Sequence, residues 1–462
     1  MNWTVARMLE ATGGRLLQGD RRGEVAGIST DSRRLQARDA FVPLVGERFD
    51  GHDFIELAVS KGVSAVLMEE NRSAVAAPPE VAVIGVNDTL RALGHLARYW
   101  RRQHPIRVVG ITGSNGKTST KEMLTEILQQ NLRVLKNEGN LNNLVGVPLT
   151  LLRLQPFHQV AVVEMGINVP GEMTQLVEIS HPDVGLITNI QPAHLEGLKT
   201  PERILGEKGL LWERLGTDGL AVINLDDVLL RNAAQSLSCR RLTYSMSESE
   251  ADVHIRGGVR LHEHGSVFLL VLGGEAVEVA LPVLGYHQVQ NAVAAAAAAY
   301  GTGQPVSSIV QGLARHRPVR QRMEIHCLAD GTHVVNDTYN ANPRSVLAAV
   351  ETVAAVHGEM PWVVVLGEMR ELGQSSAALH RQLGRQIGNL GMDRLLTLGN
   401  LANHIAKGAR EAGLPADRCY HGKDHQDLVA RLKAEWIPGA WIVIKGSRGM
   451  TMEKVVEGIL SA

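Results

Sequence analysis

The stretch from Val108 to Ser119, VVGITGSNGKTS, constrains this fold more than any other. It opens as a short apolar run, turns through Gly113 and Gly116, and ends in Lys-Thr-Ser. The residues after it, STKEMLTEILQQ, repeat apolar side chains at helical spacing. A strand, a glycine turn and a helix in that order aim backbone N–H groups at a helix start, where phosphate oxygens can be held. Thr112, Gly113, Ser114, Asn115 and Gly116 supply the turn; Lys117 can reach the β- and γ-phosphates, and Thr118 can ligate magnesium. One letter of the common G-x-x-x-x-G-K-[ST] pattern is missing, because Ile111 stands five residues before Gly116. The expectation is an ATP site with an altered exit from its strand; a plain glycine turn is the competing reading.

A chain of 462 residues suggests roughly three domains. Residues 1–86 read as a small α/β unit. Its strands are AFVPLV, SAVLM and VAVIGV, and its helix DFIELAVSKG ends at Gly62. Residues 87–317 open on an Asn87/Asp88/Thr89 cap cluster. RVVGIT, QVAVVEMG, DVGLITNI and GLAVINLDD then alternate with helical patterns, which argues for a mostly parallel sheet. Residues 251–283 read as an antiparallel appendage turning at Gly257-Gly258 and Gly273-Gly274. The run Ala292 to Ala299 reads as a tightly packed helix. Residues 318–462 alternate again as a second parallel α/β domain. The fold class is therefore α/β in three domains: a small substrate domain, a central mononucleotide-binding domain and a Rossmann-like C-terminal domain. Hinges are expected near residues 86 and 317.

Net charge is -1, and no basic run stands out, which argues against a nucleic-acid partner. Three scattered cysteines and no C-x-x-C fit a reducing cytoplasm better than a disulfide or zinc framework. The N-terminal residues do not read as a signal peptide, and no apolar run reaches the roughly 20 residues of a membrane span. Small, self-contained domains suggest a monomer.

Ligands in open α/β sheets sit beyond the carboxyl ends of the strands, and polar residues gather there. Glu164 ends QVAVVEMG, where a carboxylate needs a cation such as nucleotide-bound magnesium, or else caps the next helix. His194 follows DVGLITNI and could ligate a metal, orient a water, or be structural. Lys208, in GEKGLLW, has little standing alone. His287 and Asn291 could meet an adenine edge or cap a helix. In NDTYNANP, Asp337, Tyr339, Asn340 and Asn342 are too dense for a simple turn; Asp337 could accept ribose hydroxyls, and Asn342 an ATP or substrate group. Arg322 is a candidate for the γ-phosphate. KGSRGM, at another strand end, binds an anion or simply turns.

Taken in chain order, GITGSNGKTS, VVEMG, NIQPAHLEGL, GEKGLLW, LGYHQVQNAVAA, NDTYNANP and LGEMRELG resemble the Mur ligase family. The resemblance spans nearly the whole chain. STDSRRL and VGERFDGHDF in the first unit are similar to that family's uridine-nucleotide domain, with Ser32, Arg33, Asp50 and His52 as substrate-side residues. It implies an ATP-dependent ligase of peptidoglycan-precursor synthesis in which the three domains hold a UDP-sugar, ATP and the incoming amino compound. GERFDGHDF and NDTYNANP point within the family to a branch joining D-alanyl-D-alanine to UDP-N-acetylmuramoyl-tripeptide. Carried over by position, Lys117 meets phosphate, and Thr118 and Glu164 bind one magnesium. His194 lies at a second magnesium, supported by a carbamate on Lys208. Asn291 lies near adenine, Arg322 near phosphate and Asp337 near ribose. Asn140, Tyr339 and Asn342 face substrate, Asn140 from the loop GNLNNLVGVP. Gln288 and Gln321 stand where the family usually has Asn and Gly. The alternatives are a sibling ligase adding one amino acid, a folylpolyglutamate synthase-like ligase, and an ATPase coupled to a macromolecular partner.

Overall fold

The computed structural model describes residues 3–46, 48–72, 77–191 and 200–461. The chain divides into two compact units. The first comprises Met1–Gly110, Leu132–Ile167 and Gly171–Asp183; the second comprises Ile111–Asn131, Asn168–Pro170 and Val184–Ala462.

In the first unit a five-stranded sheet is built around β2 (Ala65–Glu69) and β3 (Ala82–Val86), paired parallel with Ala65 opposite Ala82. The two-residue strands Ala40–Phe41 and Ile28–Ser29 extend it in parallel. At the other edge β1 (Arg15–Gln18) runs antiparallel to β3. AFVPLV contributes only two residues of strand, because Pro43 has no N–H to give to a ladder. Phe41, Ile55, Val66 and Val83 fill the core beneath.

Helix α1 (Thr89–Arg102) starts where the cap cluster predicted: the Asp88 carboxylate accepts from the Arg91 N–H at 2.9 Å. Its apolar face buries Leu93, Leu96 and Trp100, and Trp3 stacks on Trp100 with ring centroids 5.0 Å apart. The chain leaves this unit inside β4 (Arg107–Thr112) and returns to lay β5 (Val160–Glu164) parallel to Val134–Lys136.

The second unit takes up the chain with helix α2 (Lys117–Leu128). Four of its strands run parallel in chain order: β6 (Val184–Ile187), β7 (Leu220–Asn224), β8 (Arg240–Ser245) and β9 (Val253–His262). Helix α3 (Pro201–Glu213) precedes β7. The expected appendage follows as β10 (Gly265–Leu272) and β11 (Glu275–Leu281), both antiparallel. Its second turn falls at Gly273-Gly274, both with positive φ. The first does not fall at Gly257-Gly258: those glycines lie inside β9 at a register shift between Arg256 and Arg260, and the chain reverses at Glu263-His264. A glycine in a strand here marks a bulge rather than its end. Helix α4 (Tyr286–Gly301) carries the alanine run, every residue from Ala292 to Ala299 being 1% exposed or less, and it packs on α2.

The C-terminal sheet is built from the parallel strands β12 (His333–Asp337), β13 (Trp362–Gly367), β14 (Arg394–Leu398) and β15 (Trp441–Lys445), with β15 seated between β12 and β13. Alternate residues go to opposite faces: Val335, Val364 and Val443 pack into one core, Val334, Val365 and Ile442 into the other. Both faces are covered, which is why these strands read as continuous apolar runs. Helices α5 (Pro343–Val356), α6 (Ser376–Gly388) and α7 (Asn403–Glu411) join them. Glu324–Cys327 adds an antiparallel edge and Cys419–Gly422 a parallel one; the sequence pattern had not shown either. No helix among the described residues is long and apolar enough to cross a membrane.

Candidate active site

Ile111 is 0% exposed and still part of β4, so the turn begins only at Gly113. Gly113 has φ +146 and Gly116 φ +81. A Cβ at Gly113 would overlap the Thr188 hydroxyl, and one at Gly116 would overlap Asn291 Oδ1. Both glycines are thus required by backbone conformation and by space.

The shortened loop is braced from the exit of β6. Thr188 Oγ1 donates to the Asn115 carbonyl at 2.5 Å, and Asn189 Nδ2 donates to the same oxygen at 3.2 Å. The Asn115 N–H donates to Asn189 Oδ1 at 3.0 Å, and the Ser114 N–H to the Asn189 carbonyl at 2.9 Å. Ser114 Oγ donates to the Gln191 carbonyl and accepts from the Gln191 N–H. Asn224 Nδ2, from the end of β7, holds the Thr188 carbonyl at 2.8 Å. These contacts tie the loop to the exit of β6. Thr188, Asn189 and Gln191 were not singled out in the sequence, because their partners lie more than 70 residues away.

Lys117 Nζ donates to the Gly113 carbonyl at 2.8 Å and so lies across the loop. Thr118 is 8% exposed, and its hydroxyl accepts from Arg322 Nη2 at 3.0 Å. The Arg322 guanidinium lies over the Tyr339 ring, 4.0 Å from its centroid. Asn342 does two jobs: its Oδ1 caps α5 through the Ser345 N–H at 2.9 Å, and its Nδ2 donates to Asn115 Oδ1 at 2.6 Å. Phosphate-loop and C-terminal side chains therefore meet directly within the second unit. Gln321 sits at φ +61, a conformation that favours glycine, and its side chain accepts from Arg448 at 3.2 Å.

Asp337 is paired inside the protein. Lys445 Nζ, 4% exposed as a residue, donates to its Oδ2 at 2.6 Å, and the Met323 N–H reaches Oδ1 at 3.2 Å. Lys445 also holds the Asn340 carbonyl at 2.8 Å. His287 is pushed down to about 4 by burial, against the pull of the Asp337 charge, so its ring is neutral. Asn291 is buried, and its Nδ2 donates to Gln288 Oε1 at 3.3 Å.

Lys208 projects from α3 at 1% exposure, and no hydrogen-bond partner for its Nζ stands among the described residues. Burial holds its pKa well below the ordinary lysine value, and the Lys117 charge pushes the same way. His194 lies outside the described residues.

In the first unit, Glu164 is 2% exposed and its Oε1 accepts from Asn142 Nδ2 at 2.8 Å. Asn137 clamps its backbone from both sides, donating to the Glu164 carbonyl at 2.9 Å and accepting its N–H at 2.8 Å. Asn140 is exposed on the same asparagine-rich loop. Asp50 accepts from the His52 N–H and ring and from Arg72 at 2.7 Å, which lowers it to about 2. Arg33 is exposed and grips Asp31 through two bonds of 2.9 Å; Lys61 Nζ caps the Ser32 carbonyl at 2.8 Å.

Comparison with known proteins decides the family. Three family models follow one another along the chain. They are the Mur ligase family, catalytic domain, at residues 24–101; the Mur ligase middle domain at 111–299; and the Mur ligase, glutamate ligase domain, at 321–448. A UDP-N-acetylmuramoyl-tripeptide--D-alanyl-D-alanine ligase of Bacillus subtilis is 37% identical over 438 residues, covering 95% of this chain and 94% of its own. The chain belongs to the Mur ligase family. Among solved Mur ligase structures, MurF from Acinetobacter baumannii matches with a TM-score of 0.91 at 32% identity, covering 100% of this chain and 99% of its own. MurF ligase from Thermotoga maritima in complex with ADP matches with a TM-score of 0.84 at 27% identity, covering 94% and 97%. The Mur ligase expectation drawn from the motifs therefore holds over the full chain.

One consequence of the loop geometry is testable without substrate. Gly116→Ala forces a Cβ into φ +81 and into Asn291. The conformation alone costs about 1–2 kcal/mol. Calorimetric titration with a non-hydrolysable ATP analogue is expected to show binding weakened by roughly tenfold or more. Unchanged affinity would mean that Gly116 does not border the nucleotide.

Proposed function

We propose that this chain joins D-alanyl-D-alanine to UDP-N-acetylmuramoyl-tripeptide at the expense of ATP, in peptidoglycan-precursor synthesis. The observation that carries the reading is Lys208: a buried amine whose pKa burial pushes down, with no hydrogen-bond partner for its Nζ among the described residues, in the same unit as the phosphate loop. An ATPase driving a macromolecular partner has no use for it. A ligase that must gather several anions does, because a neutral amine can take up carbon dioxide and become an anionic metal support. The full-length likeness to UDP-N-acetylmuramoyl-tripeptide--D-alanyl-D-alanine ligases supports the substrates.

The carboxylate at the end of the tripeptide takes the γ-phosphoryl group of ATP, giving an acyl phosphate and ADP. The amine of the dipeptide attacks the acyl carbon, and phosphate leaves as the peptide bond forms. The protein's part is positioning and charge neutralisation. Amide groups at the start of α2 and the Lys117 ammonium hold phosphate oxygens, and Arg322 stands at Thr118 to meet the γ-phosphate. Asn291 borders the adenine side, and Asp337 the ribose side.

No group of three or more His, Cys, Asp or Glu side chains among the described residues forms a metal cage. Nucleotide-bound magnesium does not need one, since it takes one or two protein oxygens and fills the rest with phosphate and water. The Thr118 hydroxyl and the buried Glu164 carboxylate are oxygen donors of that kind. Magnesium would lower the charge repulsion between carboxylate and triphosphate. A carbamate on Lys208, with His194, would hold a second ion.

The uridine nucleotide is assigned to the first unit through Ser32, Arg33, Asp50 and His52, with Asn140, Tyr339 and Asn342 on the substrate side. Cys239, Cys327 and Cys419 are unpaired, which supports a reducing cytoplasm as the site of the reaction. Phosphate release measured with each substrate omitted in turn tests the reading: release should require both the UDP-linked tripeptide and D-alanyl-D-alanine. Release with D-alanine or a free diamino acid instead would assign the chain to a sibling that adds one amino acid.

A further inference from the structure

A cavity of about 250 Å³ in the first unit is lined by α1 and the helix Glu172–Ser180, and none of the steps above uses it. It falls just under the roughly 300 Å³ at which small-molecule pockets begin, so it suits an occupant of amino-acid size.

α1 gives the cavity a cationic wall. Arg91, His95 and Arg98 stand at positions i, i+4 and i+7, which share one helical face. Arg98 Nε is buried without a hydrogen-bond partner. Neither guanidinium has an ion-pair partner among the described residues. From the other helix come Gln175 and Glu178, neighbours three residues apart. The Glu178 carboxylate also lacks an ion-pair partner among the described residues. Opposite charges thus border one cavity without pairing with each other. A plain anion drawn to the arginines would be repelled by Glu178, and a plain cation would meet the reverse. A molecule carrying a carboxylate and an ammonium a few bonds apart satisfies both walls with charge-assisted hydrogen bonds. The rest of the lining includes Leu90, Leu144 and Ile179, which offer it an aliphatic surface.

We propose that this cavity binds a free α-amino acid with an aliphatic side chain. Arg91 and Arg98 take the carboxylate, Glu178 takes the ammonium, and the side chain lies against Leu90, Leu144 and Ile179. The site shares no residue with those assigned above to ATP and substrates, and it does not rest on the ligase reading. Leu144 belongs to the loop whose Asn142 amide holds Glu164 Oε1 at 2.8 Å, so the occupied site borders the loop that supports that carboxylate.

Calorimetric titration of the full chain with each enantiomer of leucine tests this. At least one enantiomer is expected to bind with a Kd of about 1 mM or tighter. Leucinamide, which lacks the carboxylate, and N-acetylleucine, which lacks the ammonium, should each bind roughly tenfold or more weakly. Leucine should lose a similar factor on Arg98→Gln and on Glu178→Gln. A cooperative melting curve shows that each variant is folded; where one is not, the two capped ligands decide on the wild type alone. No binding of either enantiomer up to about 20 mM overturns the proposal. So does equal binding of the capped forms, which would make the cavity a merely apolar slot, or unchanged affinity in both folded variants, which would put leucine elsewhere. Inorganic phosphate that binds more tightly than leucine, and more tightly still to Glu178→Gln, would show a simple anion site and overturn it as well.

Discussion

Replacing Lys117 with alanine is expected to lower kcat by about 10²–10³-fold, as removal of a preorganised charge from a phosphoryl-transfer site does. The ammonium already lies across the loop, 2.8 Å from the Gly113 carbonyl. It needs only a small swing to exchange that carbonyl for a phosphate oxygen. The fold should survive, because the loop keeps its braces from Thr188, Asn189 and Gln191. Steady-state phosphate release and a melting curve on the same sample check both halves. Near-normal turnover would place the triphosphate elsewhere.

Lys208→Met is expected to lower activity by about 10²-fold or more while leaving the protein as stable as before or more so. The sign follows from the depressed pKa. The unfolded chain protonates this lysine near its ordinary value, whereas the folded chain keeps it neutral to well below that. The unfolded state therefore binds the extra proton between those two values, and the penalty on folding fades as pH rises through that window. Methionine fills the same space with nothing to protonate. Carbon-13 NMR in labelled bicarbonate should show a carbamate on the wild type that Lys208→Met lacks. Full activity of Lys208→Met in carbon-dioxide-free buffer would rule the carbamate out of the reaction.

Much of the scaffold was legible because it rests on local signals. The strands of the parallel sheets appear as apolar runs, and Asp88 caps α1 where the cap cluster stands. The alanine run is buried as a helix because only small side chains let it approach its neighbours so closely. The edge strands Glu324–Cys327 and Cys419–Gly422 escaped notice, being short and half-covered, without a clear alternation. Gly257-Gly258 misled because a glycine pair can make a bulge as readily as a turn.

At the site, residue types were readable and their partners were not. Asn342 looked like a ligand-facing amide, yet the same side chain caps α5 and bonds Asn115, 227 residues away in sequence. KGSRGM left an anion site and a simple turn equally open; its Lys445 serves Asp337. The bracing of the phosphate loop by the exit of β6 had no local signature.

A crystal structure of the full chain with a non-hydrolysable ATP analogue and magnesium tests the central claim most directly. The account predicts the analogue's terminal phosphates on the amide groups between Ser114 and Thr118, with the Lys117 ammonium moved from Gly113 onto them. Triphosphate bound anywhere else, with this turn left empty, would contradict it.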